Sequence, residues 1–562
     1  MPILRRALLR KAFLSALLAA AVAGCSPPNG APTIGIMTGS KDGGAGGAGG
    51  TIPGGAQDAG PPPLTDFPST PIASGTGVPA NAAQLFATAP RTGSAPCLLA
   101  PQPNTLLPRN WLRPRFEYTP AAGENLFQIT VTAPGFAHAL TVYTASPTYT
   151  MDAGLWNGLR LAVTDRPIAV AVRAMTVTAT GAVQTAPSAP ASASFVIAPV
   201  DAPGKIVYWA IPNGASDGIL RGFGIGEESV EDVLSGSQVL PPARSTAQND
   251  GCIGCHSATP DGLGVGFVFG PHNTNMGTTY YDTVVDLQAA TLGGVPSYTT
   301  ATQLATVRTL RGIPAFSGSH WSAGDHIELL MDGQNHGDLL WVNLDTDGQQ
   351  GKLARTGDSA GAVEPTFSHD GTRIAYVSAS SIIDGRLANG PADLYLVPYA
   401  NRAGGAATKI AGASDAAYTE YYPAFSPDDG YLAFSRIAGS GSSYSNPQSE
   451  VFVIPGGGGS ALRLGANDPP ACQTGVVSPG VTNDWPKWSP EATTAPNGKT
   501  YYWLTFSSTR SGRPQLYVAP MTIENGTMNV AYPAIYLWNQ PSTDDNHTPS
   551  WDDYRIPPIS IG

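Results

Sequence analysis

The chain has 562 residues, enough for two to four domains. Only 13% of it is charged, while 66 Gly and 52 Pro suit short strands and frequent turns better than long helices. The net charge of −11, with Arg5, Arg6, Arg10 and Lys11 all near the start, argues against a nucleic-acid partner and against electrostatic binding to anionic lipid.

Residues 1–24 read as a secretory signal: a basic start, an apolar stretch and a small-residue end. The tetrapeptide "VAGC" at 22–25 resembles the bacterial lipobox. That resemblance implies cleavage before Cys25 and lipid on its sulfur. Ser26, not Asp, follows it, which implies an outer-membrane lipoprotein, facing the periplasm or the cell surface. Acyl chains on one residue would anchor the chain without a spanning helix. No later stretch has 18 consecutive apolar residues. Residues 25–92 contain "GGAGGAGG" and "PGGAQDAGPPP" and are expected to form a flexible, disordered tether.

From 93 to 200 the texture changes to short alternating runs: "RPRFEYTP", "NLFQITVTA", "HALTVYTAS" and "PIAVAVRAMTV". Trp111 and Trp156 supply large apolar anchors. This pattern predicts a β-sandwich of fibronectin-III or immunoglobulin-like type. Residues 201–562 repeat. "VEPTFSHDGTRIAYVSAS" (363–380), "YYPAFSPDDGYLAFSRIA" (421–438) and "DWPKWSPEA" (484–492) each begin one unit, and "SGSHWSAGDHIELLMDG" is a degenerate copy. The Ser-Pro-Asp-Gly segment marks the turn between two strands. Such units resemble the TolB-type β-propeller repeat. The final "NHTPSWDDYR" is a first-strand motif with nothing after it, and "KIVYWAIP" (205–212) is a second strand with no motif before it. Joining them predicts a six-bladed ring without exposed edges. The expected fold is therefore all-β, a sandwich followed by a six-bladed propeller.

Within the ring domain, "GCIGCHSATPDG" (251–262) carries Cys-x-x-Cys-His. This resembles the attachment sequence of a c-type haem, in which Cys252 and Cys255 would add to the two vinyl groups and His256 would ligate the iron. The alternatives are a Cys252–Cys255 disulfide and an incomplete zinc site. Aligning "SATPDG" with "FSPDDG" sets Cys255 level with Glu364, Tyr422, Trp485 and Thr548, so these residues should line one mouth of the ring beside the haem. His547 is the first choice for a second iron ligand, with Met276, His272 and His320 as alternatives. Cys97 and Cys472 remain as a pair; in an oxidising compartment they are expected to form a disulfide between the domains, the other reading being two thiols.

Lipoproteins of deltaproteobacteria that combine a sandwich with a TolB-like propeller resemble this arrangement, and some carry the pentapeptide in one blade. The architecture of 200–562 is also similar to the propeller of the hydrazine synthase α-subunit. No second Cys-x-x-Cys-His occurs, so that enzyme's catalysis is not carried over. The resemblance implies one haem c, membrane attachment through the N-terminal lipid, and a periplasmic redox or protein partner. The expected role is electron transfer or haem-based small-molecule binding, with a haem-dependent oxidoreductase as a third reading. The competing reading is a TolB-like interaction module with a Cys252–Cys255 disulfide. A hydrolase is not the expected class.

Overall fold

The computed structural model describes residues 62–555, apart from 89, 92–94, 245–249, 272–280, 333–336 and 384–385. Strands dominate it. The signal, the lipobox and Cys25 lie outside the described residues, as do Met276 and His272.

The N-terminal part pairs two sheets. One runs through Ile72–Ser74, Leu140–Thr144, Leu126–Thr132, Ile168–Val177, Ala191–Ile197 and Thr105–Leu107. The other contains Cys97–Ala100, Arg115–Thr119 and Thr148–Thr150. Alternation along the strands turns Phe127, Ile129 and Val131 toward Phe116 and Tyr118 in one shared core.

Two features differ from the sequence expectation. The disordered tether expected over 25–92 ends earlier. Ile72–Ser74 pairs in parallel with Val142–Thr144, and Phe67 and Phe86 are buried. The Gly/Pro composition masked these few apolar anchors. The second is a ten-residue helix, Ala153–Ala162, inside the all-β region. Asp152 caps it by accepting from Gly154 N at 2.8 Å. Trp156 is buried on its inner face and donates to the Trp111 carbonyl at 3.0 Å.

After Lys205, six larger sheets follow among the described residues. Their first strands are Asp250–Ala258, Arg311–Ala315, Gly361–Phe367, Tyr418–Phe425, Asn483–Trp488 and Asp545–Asp552. Each touches the next in that order, and the last touches the first, so they form a closed cycle. The cycle closes because Asp545–Asp552 pairs antiparallel with Lys205–Ile211, from Lys205↔Asp552 to Ile211↔Asp545. Asp544, just before it, accepts from Asn213 N at 2.9 Å and pairs with Arg221.

The turns after the ring strands share one device. Thr259 Oγ1 donates to Asp261 Oδ1, and Ser426 Oγ to Asp428 Oδ1, both at 2.6 Å. The second carboxylate oxygen reaches the next sheet. Trp321 Nε1 donates to Asp261 at 3.0 Å, and Tyr502 OH to Asp428 at 2.6 Å. A residue read as turn chemistry therefore also ties neighbouring sheets together.

The two parts share a continuous core in which Phe116, Trp503, Tyr208 and Trp551 belong to one cluster. Arg113 forks onto Glu228 at 2.5 and 2.6 Å across the junction. The expected Cys97–Cys472 disulfide is present, with Cα atoms 5.4 Å apart and a sequence separation of 375. It fastens the smaller sandwich sheet to the loop before Asn483–Trp488.

Trp551 is 2% exposed and donates to the Pro203 carbonyl at 2.7 Å. Trp551→Ala is expected to lower stability by about 3–5 kcal/mol, read from the urea midpoint. A chain ending at Asp544 is expected to aggregate through its exposed strand edge. Closure would be refuted if that truncated chain stayed monomeric and melted like the full one.

Candidate functional site

The ring strands are each interrupted by a β-bulge at the same level. Register shifts occur between Ile253 and His256, Val363 and Thr366, Tyr421 and Ala424, and Asp484 and Lys487. At this level Glu364, Tyr422, Trp485 and Thr548 all have φ between 50° and 55°. Left-handed backbone is costly for such side chains, and each one precedes a proline. The strain persists because strand pairing on both sides fixes it. The sequence alignment placed these four level with Cys255. The structure brings all four, together with His256, around one small cavity on the ring axis.

That cavity is a waist of about 20 Å³, bounded also by Pro365, Pro423, Pro486 and Pro549. It has room for about one water. On the turn side lies a wider cavity of about 260 Å³, reached by Lys487, His369 and Asp552. Burial pushes the Lys487 ammonium down, and Asp552 opposes that shift.

Cys252 is 1% exposed, and its Sγ accepts from Gly218 N at 3.2 Å beside Trp209. Gly218 is required there, since a Cβ would collide with the Trp209 indole and the Ile253 carbonyl. Cys255 is a half-buried free thiol, so the alternative Cys252–Cys255 disulfide is not formed. Burial pushes its pKa up to about 11; Asp282 and Glu364 add to the rise and Arg386 opposes it. A thiolate nucleophile is therefore not favoured here.

His256 is 2% exposed. Its Nε2 donates to the Val207 carbonyl at 3.3 Å, between two sheets. Its Nδ1 is buried without a partner. Burial pushes its pKa down to about 4, so the ring is neutral. His547 sits on the next ring strand between two indoles, with ring centroids 4.9 Å from Trp485 and 4.1 Å from Trp209. Its Nδ1 is 2.8 Å from Thr548 Oγ1, and burial pushes its pKa down to about 3. Tyr444 packs on both Trp485 and His547, and the Arg386 guanidinium lies 5.0 Å above its ring.

A covalently attached haem can be tested against these observations. Part of the donor set suits it: Cys255 is a free thiol, with an imidazole directly after and an aromatic wall alongside, whereas Cys252 is engaged in a disulfide. The imidazole does not suit it in this conformation. Nε2 is committed to Val207, and the space beside His256 is far smaller than a macrocycle. His320 lies apart from this group. Its Nε2 donates to the Gly371 carbonyl at 2.8 Å, at the turn that follows Gly361–Phe367, and it is not among the waist residues.

Sequence reasoning missed Ile313, which completes the waist from the strand Arg311–Ala315. The x-Pro signal was present in "GIPAF", where Ile313 precedes Pro314. It also missed Lys487, Tyr444 and Arg386. Lys487 follows the x-Pro pair of its strand, while the other two lie in loops outside the repeat.

No protein family matches the chain, and none of the curated proteins does. Solved structures similar to it include a TolB from Agrobacterium tumefaciens, at 15% identity, covering 42% of this chain and 88% of that one, TM-score 0.25. A nidogen/laminin complex matches at 9% identity over 62% of this chain and 98% of that chain, TM-score 0.34. Hydrazine synthase from Kuenenia stuttgartiensis matches at 10% identity over 50% of this chain and 65% of that one, TM-score 0.28. Likeness this low carries no argument about function.

Glu364 accepts from Tyr422 N at 2.9 Å, Leu387 N at 3.3 Å and Ser443 Oγ at 3.1 Å. Burial outweighs these donors and raises its pKa from 4.5 to about 7. A raised folded-state pKa means that stability is lost as pH rises from the unfolded value through the folded one. Glu364→Gln cannot ionise, so the stability difference between the two proteins should change by about 3 kcal/mol in favour of the variant between pH 4.5 and pH 7. Parallel urea curves at the two pH values check this; an unchanged difference would refute it.

Proposed function

We propose that this is an exported, lipid-anchored protein in which a fibronectin-III or immunoglobulin-like sandwich is fused to a six-bladed, TolB-like propeller carrying one haem c. The closed cycle of six first strands supports six blades. The two sheets with one shared core support the sandwich. The observation that carries the haem reading is Cys255: a free thiol on a ring strand, next to His256 and three residues after Cys252. Cys252 and Cys255 would hold the haem by thioether bonds, and Tyr422, Trp485 and Tyr444 would pack on its edge. Bound haem supplies a redox-active iron, suited to electron transfer or small-molecule binding. The anchor would be Cys25, and the working partner a periplasmic redox or protein partner.

The second reading is an interaction module whose ring mouth binds a protein. It is favoured by the His256 imidazole, which is folded away between two sheets. Producing the protein with a haem-attachment system separates the two. The first reading expects a c-type reduced α-band and haem that survives denaturation, both lost in Cys255→Ser. Protein that stays colourless in that host supports the interaction module.

Cys25→Ser is expected to move the protein from the membrane to the soluble fraction. Variant protein still pelleting with membranes at high salt would show that lipid is not the sole anchor.

A further inference from the structure

A cleft of about 320 Å³ lies between the sandwich and the last sheet of the ring, away from Cys255. Its volume is at the lower end of the range of small-molecule sites, and domain junctions are favoured places for them. Trp111, Phe195, Tyr517, Tyr536 and Trp538 give it flat apolar walls. Two guanidinium groups face it. Arg113, also on its rim, is neutralised by Glu228.

Arg115 differs from its neighbour. Its guanidinium lies 5.9 Å from the Trp538 ring centroid, its Nε is buried without a hydrogen-bond partner, and it has no ion pair among the described residues. Arg510 is 5% exposed and stacks 4.6 Å from the Tyr517 ring. It donates to Asn483 Oδ1, Ser508 Oγ and the Ala466 carbonyl, all uncharged acceptors. One carboxylate, Glu117, shares the lining. The cleft thus holds an excess of guanidinium over carboxylate, between aromatic faces.

We propose that this cleft binds a small planar aromatic carboxylate, with the carboxylate on Arg115 and the ring between Trp538 and Tyr517. A half-buried guanidinium lacking an anion is satisfied best by a planar two-oxygen acceptor. An aromatic body replaces water on walls that are already flat and apolar. Because residues from both parts line the cleft, the ligand would bridge them and stabilise their junction.

The test uses the exported chain with 2-naphthoate and its neutral amide, 2-naphthamide, followed by calorimetry and thermal melting. The expected result is that 2-naphthoate binds and raises the melting temperature, with the amide at least about tenfold weaker. Arg115→Gln should abolish the preference for the anion while leaving the melting temperature without ligand nearly unchanged. Arg115→Lys, which keeps the charge but not the fork, should bind 2-naphthoate more weakly than the parent and still prefer it to the amide. Equal binding of acid and amide, no binding of either, or undiminished acid binding in Arg115→Gln would overturn the proposal. Should Arg115→Gln fail to fold, the Arg115→Lys comparison decides: binding as tight as the parent's refutes the assigned contact.

Discussion

The pairing of Asp545–Asp552 with Lys205–Ile211 is the constraint on which the rest of the ring depends. It joins segments separated by more than half of the chain. Until it forms, the first sheet lacks its inner strand and the last sheet lacks a neighbour on one side. Once formed, it leaves no open end in the cycle of first strands. Trp551, on the closing strand, then enters the core shared with the sandwich, so closure and domain docking are secured by the same residue. Asp544 reinforces the join by gripping both Asn213 and Arg221.

Within that frame the waist is set by backbone geometry more than by side-chain chemistry. The bulges force left-handed conformations on large residues, which natural chains usually avoid. Their recurrence around the ring marks an architectural requirement: the strands must bend inward together to bring Glu364, Tyr422 and Trp485 to one level. The cysteine-histidine segment occupies this slot in place of an x-Pro pair. It therefore combines two roles, ring packing and whatever chemistry its thiols serve. The hydrogen bond from His256 to Val207 belongs to the first role.

Much of this was legible in the sequence because the repeat carries its own ruler. A Ser or Thr with an Asp two residues on fixes the turn, and counting back four residues reaches the waist. That is why Glu364, Tyr422, Trp485 and Thr548 could be aligned without a structure. Ile313 escaped because Ser317 in its unit is followed by Gly-Ser, with no acidic residue two positions on. The direction of the His256 ring was not legible, since a bulge decides which way a side chain turns and no pattern of residue types records it. The ordered stretch around Ile72 escaped because a few apolar anchors are outvoted by the surrounding Gly and Pro. The helix Ala153–Ala162 was hidden by its single turn-like Asp152 and by the strand-rich neighbourhood.

The narrowness of the waist has a consequence for traffic through the molecule. A passage that admits a single water separates the end bearing Cys255 from the chamber bearing Lys487 and Asp552. The ring is then a partition, not a pore. Solutes larger than a water molecule cannot pass from the wider chamber through the waist toward Cys255. Lys487, next to the partition, still interacts electrostatically with Cys255 across it, because field lines cross a wall that molecules cannot.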